Sequence, residues 1–201
     1  MTQDAIRIIL DEHAAVASVL RSLQAMLLDG PRDEPERFFD VVRAMLFYID
    51  EFPERLHHPK ESNLLFPRLA RIAPALMHVI HRLEADHMQG ERRVRELQHL
   101  LLAWELLGES RRAAFEQEAR GYVAFYLEHM RIEETELLPA ARRLLTDSDW
   151  AVLDAAFASG GDPLATGMQD PRYERLFTRI VRMAPAPIGV GRSLGSPVTA
   201  D

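Results

Sequence analysis

Apolar positions recur every three to four residues over most of the chain, the spacing that gathers side chains on one face of an α-helix. Read this way, the sequence predicts a first helix over 4–29 and a second over 34–58, continued with a kink to about 72. A third follows over 74–107 and a fourth over 110–145. A short helix over 147–158 ends where Gly160-Gly161-Asp162-Pro163 breaks the pattern. Residues 171–183 read as one more amphipathic helix, with Tyr173, Leu176, Phe177, Ile180 and Val181 on one side. From Pro185 the chain turns rich in Pro, Gly and Ser, and a flexible tail over 185–201 is expected.

The pattern contains its own copy. A shift of 74 aligns Ile6, Ile9, His13, Val16, Leu20, Leu23 and Leu27 with Ile80, Leu83, His87, Gly90, Val94, Leu97 and Leu101. A shift of 72 aligns His57-x3-Glu61-x3-Leu65-Phe66-Pro67 with His129-x3-Glu133-x3-Leu137-Leu138-Pro139. The first two helices thus form one hairpin and the next two a second of similar design. The expected fold class is all-α: an antiparallel up-down four-helix bundle over 1–145, built from two hairpins about an approximate two-fold axis. A short helical extension over 146–184 and the tail complete the expected organisation.

Composition narrows the chemistry. Leu, Ala, Arg and Glu dominate the body and favour helix. There is no cysteine, which excludes disulfides, thiolate metal sites, iron–sulfur clusters and cysteine nucleophiles. A net charge of -7 argues against nucleic acid as a partner. No signal peptide and no run long enough to span a bilayer is visible, so a membrane is not expected and the cytoplasm is the expected location. No hydrolytic triad, phosphate loop or nucleotide motif is evident.

Against that background the histidines stand out. His13 and His87 interrupt apolar stripes at corresponding positions of the repeat. Residues at i and i+4 share a helix face, so His57 with Glu61, and His129 with Glu133, each aim an imidazole and a carboxylate at one point. Two carboxylates can bridge two cations, and four imidazoles can supply two nitrogens to each. Mixed nitrogen and oxygen ligation suits iron, with manganese or zinc as lesser options. The expected cofactor is two iron ions under an oxo or hydroxo bridge.

The order His…His-x3-Glu…His…His-x3-Glu and the segment Leu56-His57-His58-Pro59-Lys60-Glu61 resemble the hemerythrin-like (HHE) family over about residues 5–145. The resemblance implies a four-helix bundle with a non-haem di-iron centre held by His13, His57, Glu61, His87, His129 and Glu133. The oxygen carriers of marine invertebrates have a further His on one helix and an Asp in the last motif. Here the third helix offers His87 alone and Glu133 replaces the Asp, a pattern similar to the bacterial four-histidine branch, which includes iron-centre repair proteins.

Around these six residues, Glu12 and Asp86 are candidates to hold an imidazole N–H. Tyr126, on the face of His129, is a candidate hydrogen-bond donor to a small molecule at the metals, with Tyr122 one turn further off. Gly90 either clears room for an exogenous ligand or permits close helix packing. His58 falls one position off the ligand face and is expected at the rim, with His78, His81 and His99 on outer faces. The expected function is to bind or react with dioxygen, nitric oxide or peroxide, in sensing or in oxidative or nitrosative stress defence. The alternative is iron storage, delivery or sensing without redox turnover. A homodimer is compatible with either.

Overall fold

A computed structural model describes residues 3–160, 162–166 and 173–190. Among these, all regular structure is helical. The first hairpin pairs α1 (Asp4–Asp29) with α2 (Pro35–Ile49), whose rod continues through irregular turns to α3 (Phe66–Ile72). The second pairs α4 (Met77–Leu107) with α5 (Arg112–Ile132), continued by α6 (Leu138–Leu144). Both hairpins turn at a glycine with positive φ, Gly30 at 68° and Gly108 at 86°, a backbone region that other residues rarely adopt. Each glycine N–H still reaches back to the helix, to Met26 O at 2.8 Å and Trp104 O at 2.9 Å. No helix among the described residues is long and apolar enough to cross a membrane.

Among the described residues the interior has two apolar cores. One, at the end of the hairpin turns, gathers Val19, Leu20 and Leu23 of α1, Phe38, Met45 and Ile49 of α2, Leu97 and Trp104 of α4, and Phe115 and Tyr122 of α5. The other, at the opposite end, gathers Ile6 and Ile9 with Phe66, Leu69, Leu83, Ile132 and Leu137. Each such side chain, once buried, contributes about 1.5–3 kcal/mol. Between the cores lies a slab of buried polar residues: Glu12, His13, Glu54, His57, His58, Glu61, His87, His129 and Glu133. A polar slab inside a bundle is unfavourable unless its groups find partners.

The chain beyond the bundle packs on it. Thr146 opens α7 (Asp147–Ala158) with reciprocal bonds to Asp149, and Trp150, Leu153 and Phe157 enter the second core. Asp154 Oδ1 accepts the Ala5 N–H at 2.8 Å, fastening α7 to the start of α1. A four-residue helix, α8 (Pro163–Thr166), which the periodicity does not reveal, also lies on α1. The amphipathic helix expected over 171–183 is α9 (Glu174–Met183), packed on α2 with Ile180 in the first core. Residues 171–172 lie outside the described residues.

One expectation needs correction. Residues 185–190, read as the start of a flexible tail, fold back on α1: Ser22 Oγ donates to Pro185 O at 2.8 Å and accepts the Ile188 N–H at 3.1 Å. Val190 N also bonds Val181 O at 2.8 Å. Ser22 is a buried polar group on an otherwise apolar face, and this segment satisfies it. Residues 191–201 lie outside the described residues.

Candidate metal centre

The two His-x3-Glu motifs owe their aim to local backbone chemistry. Both glutamates open a π-helical turn, Glu61–Leu65 and Glu133–Leu137, at matching places in the repeat. Phe66 N–H bonds Glu61 O and Leu138 N–H bonds Glu133 O, five residues back rather than four. Pro67 and Pro139 follow directly, and neither can donate to the ordinary i−4 carbonyl, so the ladder slips by one residue. The shared Leu-x-Pro ending of the motifs is the trace of that slip. A third π-helical stretch, Asp50–His57, surrounds Pro53. It resolves the broken apolar phase of the second helix. The stripe Phe38, Val42, Met45, Ile49, Phe52 points next to Leu56, yet Leu56 is 40% exposed and His57 only 6%. The wider turn delays the phase by one residue and turns His57 inward.

The six side chains proposed as ligands converge. Glu61 Oε1 lies 3.2 Å from His57 Nε2, while its Oε2 lies 3.5 Å from His87 Nε2. Glu133 Oε2 lies 3.3 Å from His13 Nε2, while its Oε1 lies 3.4 Å from His129 Nε2 and 3.7 Å from His87 Nε2. Two overlapping groups result: His13, His57, Glu61 and Glu133, and Glu61, His87, His129 and Glu133. Both carboxylates belong to both groups. Spacings of 3.2–3.7 Å are poor for hydrogen bonds but natural for atoms sharing a cation about 2.0–2.2 Å from each.

The donor set fits a metal on a second count. Nε2 of His57, His87 and His129 and every carboxylate oxygen of Glu61 and Glu133 are buried without a hydrogen-bond partner. Buried polar atoms are otherwise nearly always paired, so orphans clustered at one point call for a ligand. A family model described as the hemerythrin HHE cation binding domain matches residues 4–141. The chain belongs to this family. A search of curated proteins returns no match. As an HHE domain the bundle binds a metal cation, and the buried His and Glu groups are the place able to hold it.

In this HHE chain the repeat extends to the second layer of contacts. His57 Nδ1 meets Glu12 Oε2 at 2.6 Å, and its counterpart His129 Nδ1 meets Asp86 Oδ2 at 3.6 Å. Glu12 and Asp86 each serve the histidine of the neighbouring helix rather than the one beside them in sequence. His13 Nδ1 meets Glu134 Oε1 at 3.0 Å, and His87 Nδ1 meets Ser62 Oγ at 2.8 Å. Glu134 and Ser62 each follow a motif glutamate. Partners within hydrogen-bond distance can set the tautomer that presents Nε2 to a cation, whereas His129 Nδ1, 3.6 Å from Asp86, has no such partner. The sequence reading missed both, although their positions one step after Glu133 and Glu61 repeat as regularly as the histidines.

His58 is the second correction. Instead of lying at the rim it is 4% exposed, its ring stacked on His87 at 3.9 Å between centroids. Its Nδ1 contacts Glu54 Oε2 and its Nε2 contacts the Tyr126 hydroxyl, both at 2.9 Å, so both nitrogens have polar partners, although His58, His87 and His129 also lie close enough together to form a third group able to hold a cation. Tyr122 OH donates to Glu54 Oε1 at 3.1 Å, completing a buried network. Burial pushes the Glu54 carboxyl up to about 8 despite that bond. Burial, with His87 and His129 nearby, holds His58 well below its ordinary value. Gly90 serves this network: a Cβ there would stand 2.7 Å from Glu54 Oε1. The space that a side chain at 90 would fill is taken by the Glu54 carboxyl. His78, His81 and His99 are exposed.

Without a cation, protons take its place. Desolvation alone would lower His13, but Glu133 and Glu134 outweigh it and raise it to about 9. His57 and His129 are likewise raised by the surrounding carboxylates against desolvation. A raised histidine stabilises the fold fully below its unfolded value of 6.5 and loses that contribution as pH rises through its folded value. Neutral Glu54 acts in the same direction up to about 8. The metal-free protein should therefore lose stability steadily between pH 6.5 and about 9, while the metal-loaded protein does not. Urea melts of both forms across that range test this, and a flat or rising curve for the metal-free form would contradict it.

Proposed function

We propose that this HHE chain is a non-haem di-iron protein of the four-histidine type that binds and reacts with a small molecule such as dioxygen, nitric oxide or peroxide, in cytoplasmic sensing or stress defence. The observation that carries the reading is the placement of Glu61, with one oxygen toward His57 and the other toward His87, and of Glu133, with one oxygen toward His13 and the other toward His129 and His87. That arrangement suits two cations better than one. Iron matches the mixed nitrogen and oxygen set, with manganese or zinc as competitors. When bound, a pair of irons supplies redox electrons and open coordination positions.

The residues of the chain supply access, selection and proton placement. A cavity bordered by Val16, Phe52, Pro53 and Leu56 reaches Glu12, His13, His57, Tyr126 and Asp162. It offers about 10 Å³ to the centre of a water-sized molecule, space for about one. That size favours diatomic or comparably small guests over organic substrates, and the apolar border disfavours bulk water. The opposite end is closed by His58 and Phe66 stacked on His87. With Glu54 neutral, its carboxyl proton can serve His58 Nδ1, so that His58 Nε2–H donates to the Tyr126 oxygen. The Tyr126 O–H is then available to a guest in the cavity it borders, where a placed donor stabilises developing negative charge.

The test is anaerobic iron loading and reduction, followed by rapid mixing with each of the three small molecules. Oxidation by oxygen in a single turnover, not undone by removing oxygen, is the expected result. Recovery of the starting spectrum on removing oxygen would instead assign reversible carriage. Silence toward all three would leave storage or delivery of iron as the function.

A further inference from the structure

The two ends of the site are related by the repeat but are not held alike. Glu12 is fixed at both oxygens: Oε2 by His57 Nδ1 at 2.6 Å and Oε1 by the backbone N–H of Asp162 at 2.9 Å. Asp162 is itself pinned, its Oδ2 by the hydroxyl of buried Tyr48 and its Oδ1 by the Leu164 N–H at 2.8 Å. The counterpart of Glu12, Asp86, reaches His129 only at 3.6 Å and faces Arg82 at 3.9 Å. Asp162 lies outside residues 4–141, in the segment that follows α7, and is buried at the edge of the small cavity.

We propose that Asp162 is a positioning residue for His57, contributed by the segment beyond the matched domain. Its N–H stops the Glu12 carboxylate from rotating. Glu12 then holds His57 with a proton on Nδ1 and turns Nε2 toward Glu61, where that nitrogen can take either a proton or a cation. A carboxylate partner of this kind also raises the basicity of the imidazole, so the His13/His57 end of the site becomes the more firmly set of the two. The proposal rests on His57 being a metal ligand, but the lock itself exists in the chain with or without a cation.

The test uses the full-length chain, metal-free and zinc-loaded, since zinc is diamagnetic and redox-silent. Asp162→Ala, Asp162→Asn and Tyr48→Phe are compared by the proton resonance of His57 Nδ1–H and by zinc affinity in chelator competition. Asp162→Ala should displace or broaden away that resonance and weaken zinc binding by about tenfold, the usual size of an outer-partner effect. Both variants keep the backbone donor, but only Asp162→Asn keeps a side-chain acceptor for Tyr48 to pin it, and Asn should restore both. Should Asp162→Ala fail to fold, Tyr48→Phe, which removes only the hydroxyl that pins Asp162, should still shift the resonance. An unmoved resonance and unchanged affinity in the folded variants, even with a lower melting temperature, would reduce Asp162 to a structural role and overturn the proposal. Failure of the metal reading is distinguishable: the wild-type chain would take up no zinc or iron, while the resonance would still respond to Asp162→Ala.

Discussion

Removing the metal should lower the melting temperature by on the order of 10 °C. The six proposed ligands come from all four rods of the bundle and lie between its two apolar cores. The unfolded chain has no preformed site, so binding free energy becomes folding free energy. Metal at a thousandfold excess over its dissociation constant contributes about 4 kcal/mol. For a domain of this size each kcal/mol shifts the midpoint by about 2–4 °C. The metal-free chain must also keep Glu61 and Glu133 buried with protonated imidazoles as their only compensation. Calorimetry of the metal-free, reloaded and untreated protein checks this. Equal midpoints would place the metal outside the bundle interior.

Substitution of the shared carboxylates should halve the metal content. A Gln at Glu61 or Glu133 has one good oxygen donor in place of two, so it cannot serve both groups of imidazoles. We expect about two irons per chain in the wild type and at most about one in either variant after anaerobic loading. Ala at His13, His57, His87 or His129 should weaken the ion at its own end first. Ala at His58 should behave differently. Both ions should remain, because its nitrogens are engaged by Glu54 and Tyr126. Stability should fall by about 1–3 kcal/mol, because those two buried groups lose their partner. Elemental analysis with thermal melts separates the outcomes. Loss of iron in His58→Ala together with retention in His57→Ala would show that the ligand register on the second rod is shifted by one.

The fold and the family were legible because their signals are short-range and repeated. Helical periodicity is a property of neighbouring residues, and a His-x3-Glu pair shares a face whatever surrounds it. The second copy, at shifts of 74 and 72, turned a weak motif into a pattern that the match over residues 4–141 bears out. The residues of the candidate site were legible in the same way, down to Glu12 and Asp86, but which imidazole each of those carboxylates serves was not. That depends on how two rods lie side by side.

Other features followed from tertiary structure alone. An even helical step places His58 off the ligand face; the π-helical stretch Asp50–His57 alters that step, and the slab is wide enough to take His58 in. Gly90 is visible in sequence as a mid-helix glycine, but its reason, the Glu54 carboxylate, belongs to another rod. Ser22 waits for Pro185 and Ile188, and Glu12 for Asp162, partners more than a hundred residues away. Local pattern determined the helices, the hairpin repeat and the metal-type residues, because those depend on neighbours in the chain. Which buried polar atom meets which was decided by packing, because a buried donor takes whatever acceptor the assembled rods bring within reach.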